Sequence, residues 1–130
     1  MLLVMCANAG VDRTYEVEGY ACGGFYQASA GHVSAGGKGI NVARALHALG
    51  RQVVLTGFLG GFSGDFVHCE LDRLGLAGEF SRIREESRTT ITVVDRASGT
   101  VTRLDERGPE ISEAEVELLC AQWEQRLGLV

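Results

Sequence analysis

The sequence predicts an α/β protein in which a mainly parallel sheet carries a small second sheet. Two apolar runs, residues 2–7 and 52–58, are typical of strands covered on both faces. Helical patterns follow them, and buried strands that alternate with helices favour a parallel sheet. Residues 13–19 instead alternate apolar and polar side chains, which indicates a strand with one wet face. Such a strand does not fit the buried sheet, so we assign it to a second one.

The remaining elements are predicted in chain order. A short strand at residues 27–33 precedes a helix at residues 38–49, which Gly50 ends. After the buried strand at 52–58, Ser63 is the predicted N-cap of a helix at residues 64–74. A strand at residues 79–83 and a hairpin of residues 89–95 and 100–106 follow.

The last helix begins with Ser112 followed three positions later by Glu115, the pattern of a capping box. Its apolar positions form a wide face that needs much sheet to cover it. They are Ile111, Ala114, Val116, Leu118, Leu119, Cys120, Ala121, Trp123 and Leu127. Because only two strongly apolar strands precede this helix, we expect the sheet to continue in residues beyond Val130.

Composition excludes several classes of function. The net charge is −5 with a pI of about 5.1, and no basic run occurs, so we expect neither nucleic acid nor a membrane as partner. The apolar start is too short to span a bilayer and lacks preceding basic residues, which predicts a cytoplasmic protein. Four scattered cysteines without a CxxC pair predict free, buried thiols, and three isolated histidines predict no metal site.

The stretch "VSAGGKGINVARALHALG" places Lys38 among glycines at the start of a helix. It is neither a P-loop, because Gly39 follows the lysine, nor a dinucleotide fingerprint, because Val42 stands where the third glycine is required. Glycines allow close approach of the backbone, and a helix N-terminus with a lysine favours an anionic or polyhydroxylated ligand. Asn41 could add an amide. A glycine-rich turn with a solvated lysine is the alternative reading.

This stretch resembles the N-terminal signature of the ribokinase-like (PfkB) carbohydrate kinases. The segments "NAGVDRTYEV", "GFLGGFSGDF", "SRTTITVVD" and "RLDERGPEIS" agree with the same family in the same order. The resemblance covers essentially the whole chain and is nearest to the branch of 1-phosphofructokinases and tagatose-6-phosphate kinases. It implies a doubly wound, mainly parallel sheet with a small β lid, the lid strands lying at about residues 13–34 and in part of 88–106. It also implies a homodimer through the lid.

The resemblance further implies transfer of the γ-phosphoryl group of ATP, with Mg²⁺, to a sugar phosphate. Fructose 1-phosphate is the first expectation, with tagatose 6-phosphate and fructose 6-phosphate as alternatives. Asp12 matches the residue that binds sugar hydroxyls, and a carboxylate can accept two of them. Gly36, Gly37 and Asn41 match sugar-contacting positions. Lys38 and Arg88 match residues near the phosphate already on the sugar.

The chain also departs from the family pattern. Ala9 stands where the family usually has the proline of Asn-Pro-Ala, and Thr90 stands where it usually has an asparagine. Asp105 and Arg107 replace the first and third residues of the usual Asn-Glu-Pro-Gly. The family's magnesium motif, catalytic aspartate and ATP cleft belong to a second half that these residues do not contain. We therefore expect residues 1–130 to be the N-terminal portion of a kinase domain, without catalytic or metal-binding residues. The alternative is a truncated, non-catalytic protein that binds sugar phosphates.

Overall fold

The computed structural model describes residues 1–128. In chain order, its elements are β1 (Leu2–Cys6), β2 (Gly10–Val17), β3 (Ala30–Gly36), α1 (Lys38–Ala48), β4 (Val53–Leu59), α2 (Gly61–Arg73), β5 (Ala77–Arg82), β6 (Arg88–Asp95), β7 (Val101–Asp105) and α3 (Glu113–Leu127). None of these helices has the length and apolar content needed to cross a bilayer. The expected continuation of the sheet beyond Val130 lies outside the described residues.

The strands form two sheets, which confirms the predicted α/β architecture with a second sheet. A parallel three-stranded sheet has the order β1-β4-β5. The second sheet has the order β3-β2-β6-β7, in which β2 and β6 run parallel and the two outer pairs are antiparallel. The strands β2 and β3 are therefore completed to a sheet by the hairpin of β6 and β7, which lies much later in the chain.

The core lies on both faces of the three-stranded sheet. Every residue of β4 is buried, as its apolar run predicts. On one face, Ile40 and Ala43 of α1 and Val67 and Leu71 of α2 pack with alternate residues of β4 in one cluster. On the other face, Leu119 of α3 packs against Phe58 and Ile83. The same first cluster includes Val11 and Ala35, so the four-stranded sheet is anchored to this core.

The helix α3 has the predicted capping box but buries little of its apolar face. The Ser112 hydroxyl accepts the Glu115 N–H, and the Glu115 carboxylate accepts the Ser112 N–H. Leu119 is its only buried residue, Trp123 is partly exposed, and Leu118 is 50% exposed. Polar contacts fix the rest of the helix to β5, through Gln122 to Ser81 and through an ion pair of Arg126 with Glu79.

Several local predictions are wrong. The second strand of the four-stranded sheet is Ala30–Gly36, shifted by three residues towards the glycines, because its register is set by pairing with β2. The helix α2 begins at Gly61, so Ser63 lies inside its first turn and is not its cap. Cys6 is buried, but the other three cysteines, Cys22, Cys69 and Cys120, are exposed, the last two on solvent faces of helices.

Candidate functional site

Three neighbouring strands bring the predicted site residues together. Asp12 on β2 lies opposite Ser34 of β3 and Thr90 of β6. One step along the same face, Gly10 lies opposite both Gly36 and Arg88. Because side chains two residues apart share a face of a sheet, Asp12, Gly36 and Arg88 lie on one face of the four-stranded sheet. This pairing joins segments that are far apart in the sequence.

The carboxylate of Asp12 lies directly against the backbone of Gly36. A Cβ atom at this glycine would overlap the carboxylate group, so the close approach requires glycine at position 36. Asp12 is half-buried, and its carboxylate has no hydrogen-bond or ion-pair partner among residues 1–128. Its oxygens are therefore available to accept hydroxyl hydrogens from a ligand.

The helix α1 begins beside this carboxylate with an open N-terminus. Gly37 is its N-cap residue, with a φ of 124°, and no side chain caps the first turn. The first intrahelical bond runs from the Asn41 N–H to the Gly37 carbonyl at 3.0 Å, which leaves the preceding N–H groups without partners in the helix. The first turn contains no acidic residue. Lys38 and Asn41, both exposed, therefore flank a partial positive charge that favours an anion.

Two of the glycines in this stretch serve the packing of the protein itself. A Cβ atom at Gly37 would lie 2.7 Å from the Cys6 Sγ, and one at Gly39 would lie 2.7 Å from the Cys6 Cβ. The first turn of α1 thus rests on the carboxyl end of β1. Our sequence-based interpretation, that these glycines admit a ligand, overlooked this contact, which only the folded chain reveals.

Arg88 is held on the same face by polar contacts. Its Nε donates to the main-chain carbonyl of Asn8 at 3.1 Å, and its Nη1 lies 3.5 Å from the Thr90 hydroxyl. The Asn8 amide in turn donates to the Arg107 carbonyl at 3.2 Å. Arg88 as a residue is half-buried, and these contacts hold its side chain beside the connection between β1 and β2.

Asp105 lies opposite Thr90, and so on the face that carries Asp12. Its carboxylate accepts two hydrogen bonds from the Arg103 guanidinium, at 3.1 and 3.2 Å. Both side chains are exposed. The negative charge that Asp105 adds to this face is therefore balanced by a neighbouring cation.

Sequence reasoning missed the residues that fix the start of β6. The Glu86 carboxylate accepts the N–H groups of Phe62 and Ser63 and so caps α2. The pKa of the Glu86 carboxyl is held below its ordinary value, mainly by the hydrogen bonds from Ser63 and to a smaller extent by the one from Phe62. The Ser87 hydroxyl accepts the Gly60 N–H at 3.0 Å and ties the same two segments together. The only local signal is that glycines, rather than a residue with a capping side chain, occupy the N-cap position and the first position of α2, Gly60 and Gly61.

The described residues, 1–128, do not form a magnesium site by themselves. Within residues 1–128, no three His, Cys, Asp or Glu side chains converge as ligands of a metal ion.

The pattern that defines the pfkB family carbohydrate kinases matches residues 6–125. The chain belongs to this family. Two curated relatives of this pfkB-family chain are named 1-phosphofructokinase. The protein from Borreliella burgdorferi is 35% identical over 119 residues, covering 92% of this chain and 38% of the relative. The protein from Haloferax volcanii is 37% identical over 120 residues, with 92% and 39% covered.

Solved structures agree with this assignment and confirm the ribokinase-like fold. A possible 1-phosphofructokinase from Thermotoga maritima superimposes with a TM-score of 0.90 at 30% identity, over 100% of this chain and 42% of that one. Phosphofructokinase-2 from Escherichia coli in complex with fructose-6-phosphate gives a TM-score of 0.87 at 24% identity, over 94% and 40%. At that identity the likeness shows the fold alone. The chain thus spans about two fifths of the length of these proteins.

Proposed function

We propose that this chain forms the sugar-phosphate-binding side of a 1-phosphofructokinase-type enzyme. That enzyme transfers the γ-phosphoryl group of ATP to fructose 1-phosphate and gives fructose 1,6-bisphosphate. One observation carries the proposal: an unpartnered carboxylate at Asp12 lies against Gly36 beside the uncapped N-terminus of α1. A hydroxyl acceptor next to an anion-favouring helix start suits a ligand that is both polyhydroxylated and phosphorylated. The relatives named 1-phosphofructokinase support the choice of sugar.

The proposed roles follow from these positions. Asp12 accepts the hydroxyl hydrogens of the sugar, Gly36 allows that carboxylate to lie beside the start of α1, and the main chain of Gly36 and Gly37 contacts the sugar. Asn41 lies one turn further along the helix and offers an amide to the same ligand. Lys38 and Arg88 bind the phosphate already on the sugar, since two cations suit a dianion.

The four-stranded sheet is the lid in this proposal. Its polar face carries Asp12 and Arg88 and covers the sugar. On its opposite face Val33 is 36% exposed and Leu104 is 70% exposed, and this apolar surface supports a homodimer through the lid. The proposal places the enzyme in the cytoplasm, where free thiols such as Cys22 and Cys69 stay reduced.

ATP and Mg²⁺ complete the proposed reaction by supplying the transferred group and neutralising its charge. The residues described here contribute binding and orientation of the acceptor sugar. We therefore expect the 130-residue chain to bind the sugar phosphate but to have no measurable kinase activity, because phosphoryl transfer requires aligned nucleotide, metal and base.

Isothermal titration of the purified chain with fructose 1-phosphate tests the binding role, and a coupled assay with MgATP tests turnover. We expect binding by the wild-type chain, a large loss in Asp12→Asn, and no turnover in either. Absence of binding by a folded wild-type chain would refute the proposed site. Turnover by this chain that Asp12→Ala abolishes would show that it carries the catalytic residues as well.

A further inference from the structure

We propose that Asn8 is a positioning residue, which aims the guanidinium of Arg88 at the phosphate of the sugar. The inference rests on the proposed function, because it assigns Arg88 a phosphate to bind. Asn8 lies in the short connection between β1 and β2, at the edge where the two sheets meet. It is exposed, so burial in the core does not explain the contacts that it makes.

The main-chain carbonyl of Asn8 determines the direction of the Arg88 side chain. It accepts the Nε–H of Arg88 at 3.1 Å. This bond uses the inner nitrogen of the guanidinium, and neither outer nitrogen makes a hydrogen bond to the loop among the described residues. The contact from Nη1 to the Thr90 hydroxyl, at 3.5 Å, is too long to fix the group by itself. A bidentate phosphate contact requires the outer nitrogens in one orientation, which the Asn8 carbonyl supplies.

The side chain of Asn8 determines where that carbonyl points. Its amide donates to the Arg107 carbonyl at 3.2 Å, in the connection between β7 and α3. Gly108, with a φ of 107°, approaches so closely that a Cβ atom there would lie 2.6 Å from the Asn8 Oδ1. The connections from β1 to β2 and from β7 to α3 thus pack together around the side-chain amide of Asn8. The conformation of one connection therefore fixes that of the other.

The same connection also borders the start of α1. A Cβ atom at Gly37 would lie 3.5 Å from the Asn8 carbonyl oxygen and 3.4 Å from the Ala9 Cα. A shift of the Asn8 peptide would therefore move Arg88 relative to Lys38, the two cations assigned to the phosphate. Asn8 acts on both the direction of Arg88 and its distance from the helix start.

The first test needs no ligand. Nuclear magnetic resonance of the ¹⁵N-labelled chain reports solvent exchange of the Arg88 Nε–H, with the exposed Arg51 as an internal reference. We expect the Arg88 Nε–H to exchange more slowly than that of Arg51 in the wild type, and this protection to be lost in Asn8→Ala. Gly108→Ala disturbs the same contact from the other loop and should have the same effect. Wild-type exchange as fast as that of Arg51, or unchanged exchange in a folded Asn8→Ala chain, would overturn the proposal.

The second test is a double-mutant cycle in fructose 1-phosphate binding. We expect Asn8→Ala to weaken binding about 2- to 10-fold, the range of one lost hydrogen bond, and to have no such effect when Arg88 is already alanine. A residue that merely stabilised the fold would weaken binding in both backgrounds, and that result would refute the positioning role. The matched control is Ser98→Ala, which cuts a 2.7 Å tether to Asp95 at the far end of β6 and should change neither readout. If the wild type protects Arg88 but binds no fructose 1-phosphate, the proposed function fails while the positioning of Arg88 stands.

Discussion

Replacing Lys38 by alanine should distinguish the contribution of the ligand's phosphate to binding from that of its sugar. Lys38 is the first residue of α1, and its charge adds to a helix start that no side chain caps. Asp12, on a neighbouring strand, is assigned the hydroxyl groups instead. The two substitutions Lys38→Ala and Asp12→Asn should therefore affect different ligands. The first should weaken fructose 1-phosphate alone, and the second should weaken fructose 1-phosphate and fructose alike.

The magnitude follows from the position of the ammonium group. A charge-assisted contact contributes about 1.5–3 kcal/mol, which corresponds to roughly 10- to 150-fold in affinity. Lys38 is exposed, so water screens its charge and the lower end of this range applies. We expect about a 10-fold loss for fructose 1-phosphate and less than about a 2-fold loss for fructose. Raising the salt to 1 M shortens the screening length to about 3 Å and should reduce the difference.

Isothermal titration of both ligands against the wild type and the two variants measures these effects. Arg51→Ala is the matched control, because it removes the same charge from an exposed site just before β4, at the end of the sheet away from the start of α1. It should leave both affinities unchanged. If Lys38→Ala weakens both ligands equally, Lys38 does not bind the phosphate. It would then only maintain the shape of the loop, and the assignment of Lys38 would be wrong.

Three further predictions concern the fold around the site. Gly36→Ala should weaken the binding of fructose as well as that of fructose 1-phosphate, because the new Cβ overlaps the Asp12 carboxylate. The control in the same titration is Gly31→Ala on the same strand, whose Cβ would lie 3.5 Å from a tyrosine ring. The pKa of Glu86 in the folded protein lies below its ordinary value, so its stabilising contribution is present above about pH 4.5 and is lost as the pH falls through the folded pKa. Thermal melts from pH 6 to 3 should therefore show a melting temperature that depends less on pH in Glu86→Gln than in the wild type. Equal slopes of melting temperature against pH would contradict this. The exposed apolar face of α3 should cause self-association, and sedimentation should show more monomer after Leu118→Lys, whereas a wild-type monomer at all concentrations would exclude the idea.

Local patterns were sufficient to predict most of the elements. The uninterrupted apolar run of β4 predicted a strand that is buried throughout, and the spacing of Ser112 and Glu115 predicted a capping box that both hydrogen bonds confirm. The family resemblance pointed to Asp12, Gly36 and Arg88 from their sequence motifs, and the register of β3, β2 and β6 places them on one face. Their roles towards a ligand remain predictions.

Contacts between distant segments were beyond such patterns. Glu86 caps a helix whose first residues lie more than twenty positions earlier, and no spacing rule connects the two. The exposure of Cys69 and Cys120 was also misjudged, because apolar character alone does not say which side of a helix faces the sheet. In the same way, only the register of β7 against β6 shows that Asp105 lies on the face that carries Asp12.

The chain passes between its two sheets four times. The connections from β1 to β2, β3 to α1, β5 to β6 and β7 to α3 all cross at the edge where Asn8, Gly37 and Arg88 lie. Any rotation of the four-stranded sheet against the three-stranded sheet must therefore turn about these crossings. Such a hinge runs through the site itself, so opening it would separate Asp12 and Arg88 from Lys38. If one ligand is held by all three residues, as we propose, its binding should fix the angle between the two sheets.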